Sequence, residues 1–212
     1  MQTLLLDEVA STQEWLKKAY KEKKVTPPFA LYAKRQTRGI GSRGNTWIGQ
    51  EGNLFLSFLI ERAALPDDLA MESASIYFAW LLKEVLKDAG SQCWIKWPND
   101  FYIEEKKIGG MITSIVGECL VCGVGLNLVT SPKEFGVLDV ALSAEEIVKR
   151  FLEKVEKKIS WKQVFRKYSV EFYKNKSFYT HIDKSKKVSM RFAVLNDDGS
   201  ITINDERIYS LR

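Results

Sequence analysis

The feature that most constrains the fold is the stretch of residues 93–115, in which strand-like segments alternate with residues typical of turns. It begins with a strand-like alternation that stops at Pro98, because proline cannot donate a backbone hydrogen bond to a neighbouring strand. Two further strands are predicted at residues 101–103 and 107–115, joined by a turn at residues 104–105. This stretch therefore predicts an antiparallel hairpin.

The predicted register places two opposite charges on one face of the hairpin. A two-residue turn pairs Tyr102 with Lys107 and Asp100 with Gly109. Asp100 and Lys107 are then diagonal neighbours, about 7 to 8 Å apart. Gly109 and Gly110 leave backbone without side chains beside them, which opens room for a ligand. A carboxylate and an ammonium are therefore expected to border a ligand site.

Composition indicates an ordinary soluble globular protein. The chain has 212 residues, of which 45% are hydrophobic and 28% charged, enough for one sizeable domain and a small appendage. No apolar run approaches the roughly 18 residues of a membrane span, and no targeting segment is recognisable at the N-terminus. We therefore expect no membrane association and a cytoplasmic location.

The cysteines do not indicate a disulfide framework or a metal centre. There are three cysteines and one histidine, His181, in the chain. Cys119 and Cys122 form an isolated C-x-x-C, but residues three apart on a strand point to opposite faces. Buried thiols are predicted, and no residue is assigned as a metal ligand.

Positive charge is concentrated near the C-terminal end. The net charge is +5, and residues 144–187 hold thirteen Lys or Arg against six Asp or Glu. Such a segment could attract nucleic acid or an acidic protein, and a solvated helix face is the simpler interpretation.

The remaining patterns predict an α+β fold, with a mixed β-sheet flanked by helices over residues 1–180 and a small β appendage over residues 181–212. Further strands are predicted at residues 3–6, 29–33, 53–60, 118–128, 188–194, 200–203 and 208–211. Helices are predicted from Ser11, over residues 66–89, from Ser143 and over residues 161–173.

Two segments are candidate ligand sites. Residues 11–14 fit a capping box, and hydroxyls and free amides at a helix start can also bind a polar ligand group. Residues 34–52 contain five glycines and four basic residues without a helical or alternating pattern, which predicts a cationic loop that can offer amides to an anion. The loop satisfies G-x-G-x-x-G but is not followed by a helix, so a dinucleotide fold is not supported.

The sequence lacks the residues that several classes of enzyme require. One histidine cannot furnish a His-rich metal site or H-E-x-x-H, and neither a G-x-S-x-G elbow nor a G-x-x-x-x-G-K-S/T phosphate loop is present. What remains is a cationic pocket suited to anions.

K-W-P-N-D at residues 96–100, followed after six further residues by K-I-G-G at 107–110, resembles the core motif of biotin protein ligases. Further short matches occur in the family's order and cover about the first 130 residues. They lie at residues 11–13, 36–44, 52–57 and 123–127.

The resemblance implies a two-step reaction, in which biotin and ATP with magnesium (Mg2+) give biotinoyl-5′-AMP, and a carrier lysine then attacks the acyl carbon. The catalytic residues implied are Lys107, Arg43 and Asp100, although Asp100 could instead only pair with Lys107 or cap the Pro98 turn. The implied biotin-binding residues are Ser11, Thr12, Gln13, Gln36, Gly39, Ile40, Gly41, Ser42, Lys107, Gly109 and Gly110. The implied ATP-binding residues are Arg38, Arg43, Trp47, Lys96, Trp97, Asn99, Lys107 and Asn127, where Asn127 could instead cap a turn.

The sequence departs from the family's loop, since Ile40 and Ser42 stand where arginines are usual. Arg38 could supply replacement charge.

The resemblance also implies partners. The acceptor is expected to be the biotin carboxyl carrier protein of acetyl-CoA carboxylase, and the appendage resembles a shortened SH3-like domain that ends in residues 210–212. Because the chain starts directly in the catalytic domain, we expect no sequence-specific DNA binding. A homodimer through an exposed sheet edge is possible.

Two rival functions stay open. A lipoate or octanoate ligase shares the fold and the lysine, but not K-W-P-N-D together with this loop. A basic nucleic-acid-binding module fits residues 144–187 and leaves the glycines unexplained.

Overall fold

The structure, a computed structural model, describes residues 1–41, 46–181 and 187–209. The helices are α1 (Thr12–Lys21), α2 (Ala74–Asp88), α3 (Ala144–Glu156) and α4 (Trp161–Glu171), with short 3-10 segments at Arg62–Ala64, Met71–Ser73 and Phe172–Ser177. The strands are β1 (Gln2–Val9), β2 (Phe29–Ile40), β3 (Thr46–Gly49), β4 (Leu54–Glu61), β5 (Trp94–Lys96), β6 (Asp100–Ile103), β7 (Lys106–Val116), β8 (Cys119–Leu126), β9 (Tyr179–His181), β10 (Lys187–Ser189), β11 (Val194–Leu195), β12 (Ile201–Ile203) and β13 (Glu206–Ile208).

The main sheet has eight strands. Seven follow the order β1-β2-β4-β8-β7-β6-β5, and β3 pairs with β2. β1 and β2 are parallel and the other neighbours are antiparallel. The predicted α+β fold with a mixed sheet and small antiparallel sheets at the C-terminal end is therefore confirmed.

Both faces of the sheet are covered, which explains why β4 is apolar along nearly its whole length. Leu56 and Phe58 pack into a large core with α2, α3 and α4, whereas Leu59 packs into a smaller core under α1. A strand buried on both faces reads as a nearly continuous apolar run, as residues 54–60 do apart from Ser57.

The helix predicted over residues 66–89 begins eight residues later than expected, at Ala74. Residues 66–69 form a turn instead, closed by a hydrogen bond of 3.0 Å from Leu69 N to Pro66 O. Asp68 in this turn accepts hydrogen bonds of 2.9 Å from the backbone amides of Trp161 and Lys162, the first residues of α4. Asp68 therefore caps α4 rather than starting α2.

The loop predicted over residues 34–52 is partly wrong, because β2 continues to Ile40 and β3 pairs with it. This extension carries polar side chains without alternation, so the apolar pattern does not reveal it. Its backbone is paired with β1 as far as Val9 and Gln36, and salt bridges of 2.8 and 3.1 Å join Lys34 to Asp7 and Arg35 to Glu8.

The C-terminal strands pair differently from the predicted hairpin of residues 188–194 with 200–203. β10 pairs with β9, while β11, β12 and β13 form a three-stranded sheet. The chain turns between these sheets because Met190 is fully buried and its carbonyl accepts a hydrogen bond of 3.0 Å from Ala193 N. The last strand ends at Ile208 rather than beginning there, and residues 210–212 lie outside the described residues.

The turn at residues 197–199 is held by three side-chain donors from the main domain. The indole nitrogens of Trp161 and Trp97 donate hydrogen bonds of 2.8 Å to the carbonyl oxygens of Asp197 and Gly199. Ser73 Oγ donates one of 2.5 Å to the carbonyl of the intervening residue, Asp198. Side chains of β12 and β13 also belong to the main core. The domain division at residue 180 stays a prediction.

Basic side chains of α3 and α4 form ion pairs with acidic side chains of α2. Lys154 pairs with Asp88 at 3.0 Å and Lys167 with Glu84 at 3.1 Å. Both helices begin with the capping boxes of Ser143 and Ser160. Among the described helices, none combines the length and apolar character that crossing a membrane requires.

Candidate active site

A cleft lies where the N-terminus of α1 meets β2, β4, β7 and β8. It encloses about 510 Å³ of space, part of it open to solvent. Its lining consists of Ser11, Thr12, Gln13, Gln36, Ile40, Gly41, Trp47, Ser57, Asn99, Asp100, Lys107, Gly110, Met111, Ile112, Gly123, Val124 and Gly125.

The predicted opposite charges meet at one side of this cleft. Lys107 Nζ lies 2.7 Å from Asp100 Oδ1, and both side chains are about three-quarters buried, with 26% and 23% exposed. Partial burial strengthens such a pair relative to one in water. The ammonium is therefore held at the cleft wall by a specific partner.

The hairpin register differs from the prediction by one residue beyond its turn. Tyr102 pairs with Lys107 as predicted, but Asp100 pairs with Gly110 rather than Gly109. The extra residue is Ile108, whose side chain is fully buried in the main core. This β-bulge lets the strand bury Ile108 while Lys107 still faces the cleft.

Gly109 and Gly110 consequently have different surroundings. A Cβ on Gly110 would lie 3.0 Å from Asp100 Oδ1 and 3.6 Å from Lys107 Nζ, so the missing side chain leaves space beside the charged pair. A Cβ on Gly109 would lie 2.5 Å from the carbonyl oxygen of Gly125, so this glycine permits close strand packing. Of the two, only Gly110 lines the cleft.

Asn99 holds the strand beside the charged pair. Its side-chain amide donates to the carbonyl of Met111, and its own carbonyl accepts a hydrogen bond of 2.9 Å from Met111 N. The residue therefore borders the cleft with its amide already engaged to the β7 backbone.

The opposite end of the cleft is polar and buried. Ser11 Oγ caps α1 through Glu14 N at 3.4 Å, and α1 directs its positive N-terminal end toward the cleft. Thr12 joins β2 and β4, because its N–H donates to Gln36 Oε1 at 2.9 Å and its hydroxyl lies 2.9 Å from Ser57 Oγ. Ser11 therefore caps α1 as predicted, and residues 11–13 line this end of the cleft, where their binding of a ligand stays a prediction.

Trp47 covers a bare stretch of β8. A Cβ on Gly125 would lie 2.7 Å from the indole, so the ring rests directly on the backbone there. Its Nε1 is buried and has no hydrogen-bond partner among the described residues. A buried donor without a partner is available to a ligand.

Burial raises the pKa of Tyr102 to about 12, and the negative charge of Asp100 acts in the same direction. Tyr102 is therefore a neutral neighbour of the charged pair near neutral pH. Burial also raises the pKa of Cys122, so that thiol is unreactive, as the sequence predicted. In the three described ranges, no three or more His, Cys, Asp or Glu side chains cluster as metal ligands.

Four residues assigned to ATP lie outside the cleft lining. Trp97 is buried in the core and hydrogen-bonded to Gly199, and the side chain of Asn127 donates to Gly136 O at 3.1 Å, so it organises a turn. Lys96 lies 5.6 Å from the Tyr102 ring centroid, and Arg38 is exposed. Their ligand roles stay predictions.

Gly39 is also absent from the lining, but its missing side chain makes room for Gln36, whose Nε2 would lie 2.4 Å from a Cβ there. Ser42 and Arg43, assigned to biotin and to catalysis, lie outside the described residues.

Six lining residues were not assigned from the sequence: Ser57, Met111, Ile112, Gly123, Val124 and Gly125. Four of them, Ser57, Gly123, Val124 and Gly125, fall in motifs that carried the family resemblance, at residues 52–57 and 123–127. The motifs could therefore have predicted that these residues line the cleft. Met111 and Ile112 lie outside the motifs and reach the cleft because β7 pairs with β8.

Residues 5–127, more than half of the chain, match the model of the Biotin/lipoate A/B protein ligase family. The chain belongs to this family, and the resemblance to biotin protein ligases is confirmed. It is similar over 99% of its length to all of a solved biotin acetyl coenzyme A carboxylase synthetase from Helicobacter pylori with bound biotinylated ATP, at 38% identity and a TM-score of 0.94.

A biotin protein ligase from Aquifex aeolicus, in complex with biotin and ATP, shares the fold. It has a TM-score of 0.78 and 23% identity, covering 100% of this chain and 96% of that one. Among curated relatives, a bifunctional ligase/repressor BirA from Bacillus subtilis is 30% identical over 123 residues, which are 55% of this chain and 38% of that protein. The match thus spans well under half the length of this relative.

Proposed function

We propose that this protein is a biotin protein ligase, which activates biotin with ATP and transfers it to a lysine of the biotin carboxyl carrier protein of acetyl-CoA carboxylase. The observation that carries the proposal is the ion pair of Lys107 and Asp100 in a cleft whose other end is polar and buried. The 38% identity to a synthetase with bound biotinylated ATP supports the choice of substrates.

The first step joins two anions, which explains the need for Lys107. A carboxylate oxygen of biotin attacks the α-phosphorus of ATP, and the bond from that phosphorus to the pyrophosphate oxygen breaks. Lys107 Nζ stabilises the carboxylate and the charge that develops on the α-phosphate. The space beside Gly110 gives both groups access to this ammonium. Mg2+ enters with ATP as part of the substrate complex.

The second step forms the amide. The amine nitrogen of the acceptor lysine attacks the acyl carbon, the bond from this carbon to the AMP oxygen breaks, and AMP leaves. The amine loses a proton, and Asp100 accepts it once Lys107 is engaged by the phosphate. In the structure described here Asp100 pairs with Lys107, which is the alternative role predicted for it. The proposed base function depends on that pair opening.

Intact mass measurement tests the proposal directly. The protein is incubated with MgATP, an apo-carrier domain and either biotin or lipoate. We expect the carrier to gain one biotinoyl group with biotin and no mass with lipoate. A mass gain with lipoate alone would establish the lipoate ligase alternative instead, and a gain with neither would refute ligase activity on this carrier.

A further inference from the structure

The buried side-chain amide of Asn175 closes the open edge of β5. In the described part of the chain, β5 is the last strand of the main sheet, so one of its edges has no neighbouring strand. Asn175 Oδ1 accepts a hydrogen bond of 2.7 Å from Trp97 N, and Asn175 Nδ2 donates one of 3.4 Å to Ile95 O. These two backbone groups lie two residues apart and so face the same edge of the strand. The amide therefore makes the bonds that a further strand would make.

The orientation of this amide follows from its partners. A backbone N–H can only donate, so the atom that faces Trp97 N is the amide oxygen. The nitrogen uses its other proton in a hydrogen bond of 3.2 Å to Phe172 O, in the 3-10 segment that contains Asn175 itself. Asn175, Trp97 and Ile95 are all buried. Removing the amide would therefore leave a buried N–H and a buried carbonyl of the β5 edge unpaired.

The edge that Asn175 closes leads directly to Asp100. Asp100 follows Trp97 by three residues and begins β6, which runs back along β5. The connection between the two strands is fixed at one end by the bond from Trp97 N to Asn175. At its other end, the carbonyl of Asn99 accepts a hydrogen bond of 2.9 Å from Met111 N. A shift of the β5 end would therefore move Asp100.

Lys107 depends less on this edge. It lies on β7, two strands away from β5 in the order of the described sheet, and its carbonyl accepts a hydrogen bond of 2.9 Å from Gly136 N. Lys107 Nζ lies 2.7 Å from Asp100 Oδ1. Loss of the Asn175 amide should therefore displace the carboxylate relative to an ammonium that stays in place.

We propose that Asn175 is a positioning residue, which holds Asp100 where its carboxylate accepts the proton of the attacking lysine amine. The proton leaves the amine nitrogen as this atom bonds to the acyl carbon and AMP departs. The inference rests on the proposed function, because Asp100 has this role only in the transfer step. Asn175 lies outside residues 5–127, which match the family model, so the C-terminal part of the chain would serve the chemistry of the N-terminal part.

Asn175→Ala tests the assignment when the two steps are measured separately. Exchange of labelled pyrophosphate into ATP reports the first step. Transfer from added biotinoyl-5′-AMP to an apo-carrier domain, followed by intact mass, reports the second. We expect the transfer rate near pH 7 to fall about 10- to 100-fold, while kcat for exchange changes little.

Tyr77→Phe is the matched control. It removes another hydrogen bond from a buried side chain to a backbone carbonyl, that of 2.8 Å from Tyr77 Oη to Ile159 O, which joins α2 to the connection between α3 and α4. Both rates should stay near their original values in this variant. A loss of transfer equal to that of Asn175→Ala would show that weakening the core at any place has the same effect, and would overturn the proposed role.

The pH dependence of transfer separates a misplaced base from a general loss of structure. An amine that loses its proton without help reacts faster as the pH approaches its own pKa, whereas a carboxylate base keeps the original rate nearly constant. The defect of Asn175→Ala should therefore shrink as the pH rises from about 7 to about 9. A defect of constant size over this range would contradict the role.

A double-mutant cycle tests whether Asn175 acts through Asp100. Asp100→Asn removes the carboxylate, so adding Asn175→Ala to it should slow transfer little further. If Asn175→Ala does not fold in a thermal melt, Asn175→Asp takes its place. Its protonated carboxyl keeps the oxygen that faces Trp97 N and one donor instead of two, so transfer should fall by a smaller factor.

The two proposals fail in distinguishable ways. If the unmodified protein neither exchanges pyrophosphate with biotin nor transfers from biotinoyl-5′-AMP, the proposed function is wrong. If it does both, but the folded Asn175 variant keeps the original transfer rate or loses exchange and transfer equally, the role of Asn175 alone is overturned. The same holds if the losses of Asn175→Ala and Asp100→Asn multiply independently.

Discussion

The backbone N–H of Gly136 donates a hydrogen bond of 2.9 Å to the carbonyl oxygen of Lys107. Lys107 is thus held on one side by its strand partner Tyr102 and on the other by the segment that follows β8. The carbonyl of Gly136 in turn accepts from Asn127. The position of the proposed catalytic ammonium therefore depends on a segment that does not itself line the cleft.

Gly136→Ala should disturb this arrangement. A Cβ at residue 136 would lie 3.0 Å from Lys106 Cβ and 3.1 Å from Ile108 Cγ2, so the segment must shift away from β7. We expect a several-fold loss of kcat for pyrophosphate exchange with only a small change in melting temperature. Lys133→Ala, an exposed residue of the same segment, serves as the control. Unchanged kcat in Gly136→Ala would show that this contact does not position Lys107.

Lys107→Ala should abolish most adenylate formation without unfolding the protein. Removing one group that stabilises transition-state charge lowers kcat about 10²- to 10³-fold. The side chain lies at a cleft wall rather than in the core, so circular dichroism should show an intact fold. Lys106→Ala removes an exposed neighbouring charge and should leave pyrophosphate release near the original rate. Near-normal release from Lys107→Ala would refute its assignment.

The two adjacent glycines should separate activity from stability. Gly110→Ala places a methyl group beside Asp100 and Lys107, so we expect activity to fall with little loss of stability. Gly109→Ala forces β7 away from Gly125, and overpacking of this kind costs about 1 to 3 kcal/mol. Urea denaturation and pyrophosphate exchange measured on both variants check the contrast. Equal stability losses would contradict it.

Two tryptophans should likewise respond differently to replacement by phenylalanine. The Nε1 of Trp47 makes no hydrogen bond within the part of the chain described, so Trp47→Phe loses none and should raise the KM for ATP at nearly unchanged stability. Trp97→Phe breaks the bond to Gly199 and should cost about 1 to 3 kcal/mol, because a buried carbonyl loses its donor. The prediction for Trp47 fails if the KM for ATP stays constant.

A buried tyrosine predicts a loss of stability in alkali. Burial raises the pKa of Tyr168 above its ordinary value of 10.0. Because the folded protein holds this proton more tightly than the unfolded chain, the stabilisation is complete below pH 10 and decreases as the pH rises above it. Tyr168 Oη also lacks a hydrogen-bond partner among the described residues.

Tyr168→Phe should therefore be neutral or stabilising at pH 7 and should reduce the decline above pH 10. Chemical denaturation at pH 7, 9 and about 10.5 measures both effects. An unchanged alkaline slope would exclude Tyr168 as its source. Tyr173→Phe, an exposed tyrosine on the segment after α4, is the control.

Local features of the fold were predictable from the sequence. The pairing of Tyr102 with Lys107 follows from the shortest turn, and the capping of α1 by Ser11 follows from residue type. The bulge at Ile108 was not predictable, because it buries the Ile108 side chain in the core beneath the sheet. Nothing in the sequence of the hairpin itself requires it. The late start of α2 has a similar cause, since Asp68 is used to cap α4, far away in sequence.

For the site, too, local sequence motifs were informative, whereas the effects of tertiary packing could not be predicted. Motif resemblance identified most of the lining, including Thr12 and Gln36, because those residues occur in short ordered segments. It also assigned Trp97, whose indole instead reaches the C-terminal sheet, and it did not assign Ser57. A motif shows which positions matter but not whether a side chain faces the ligand or the core.

The three donors that hold the turn at residues 197–199 tie the small sheets to the main domain from within. Two of these donors are the indole N–H groups of Trp161 and Trp97, which donate to the carbonyl oxygens of Asp197 and Gly199. Shortening the protein before this turn would strand those N–H groups in an apolar interior. The final strands thus complete the main core, and removing them would also expose apolar side chains that pack against Ile201, Ile203 and Ile208.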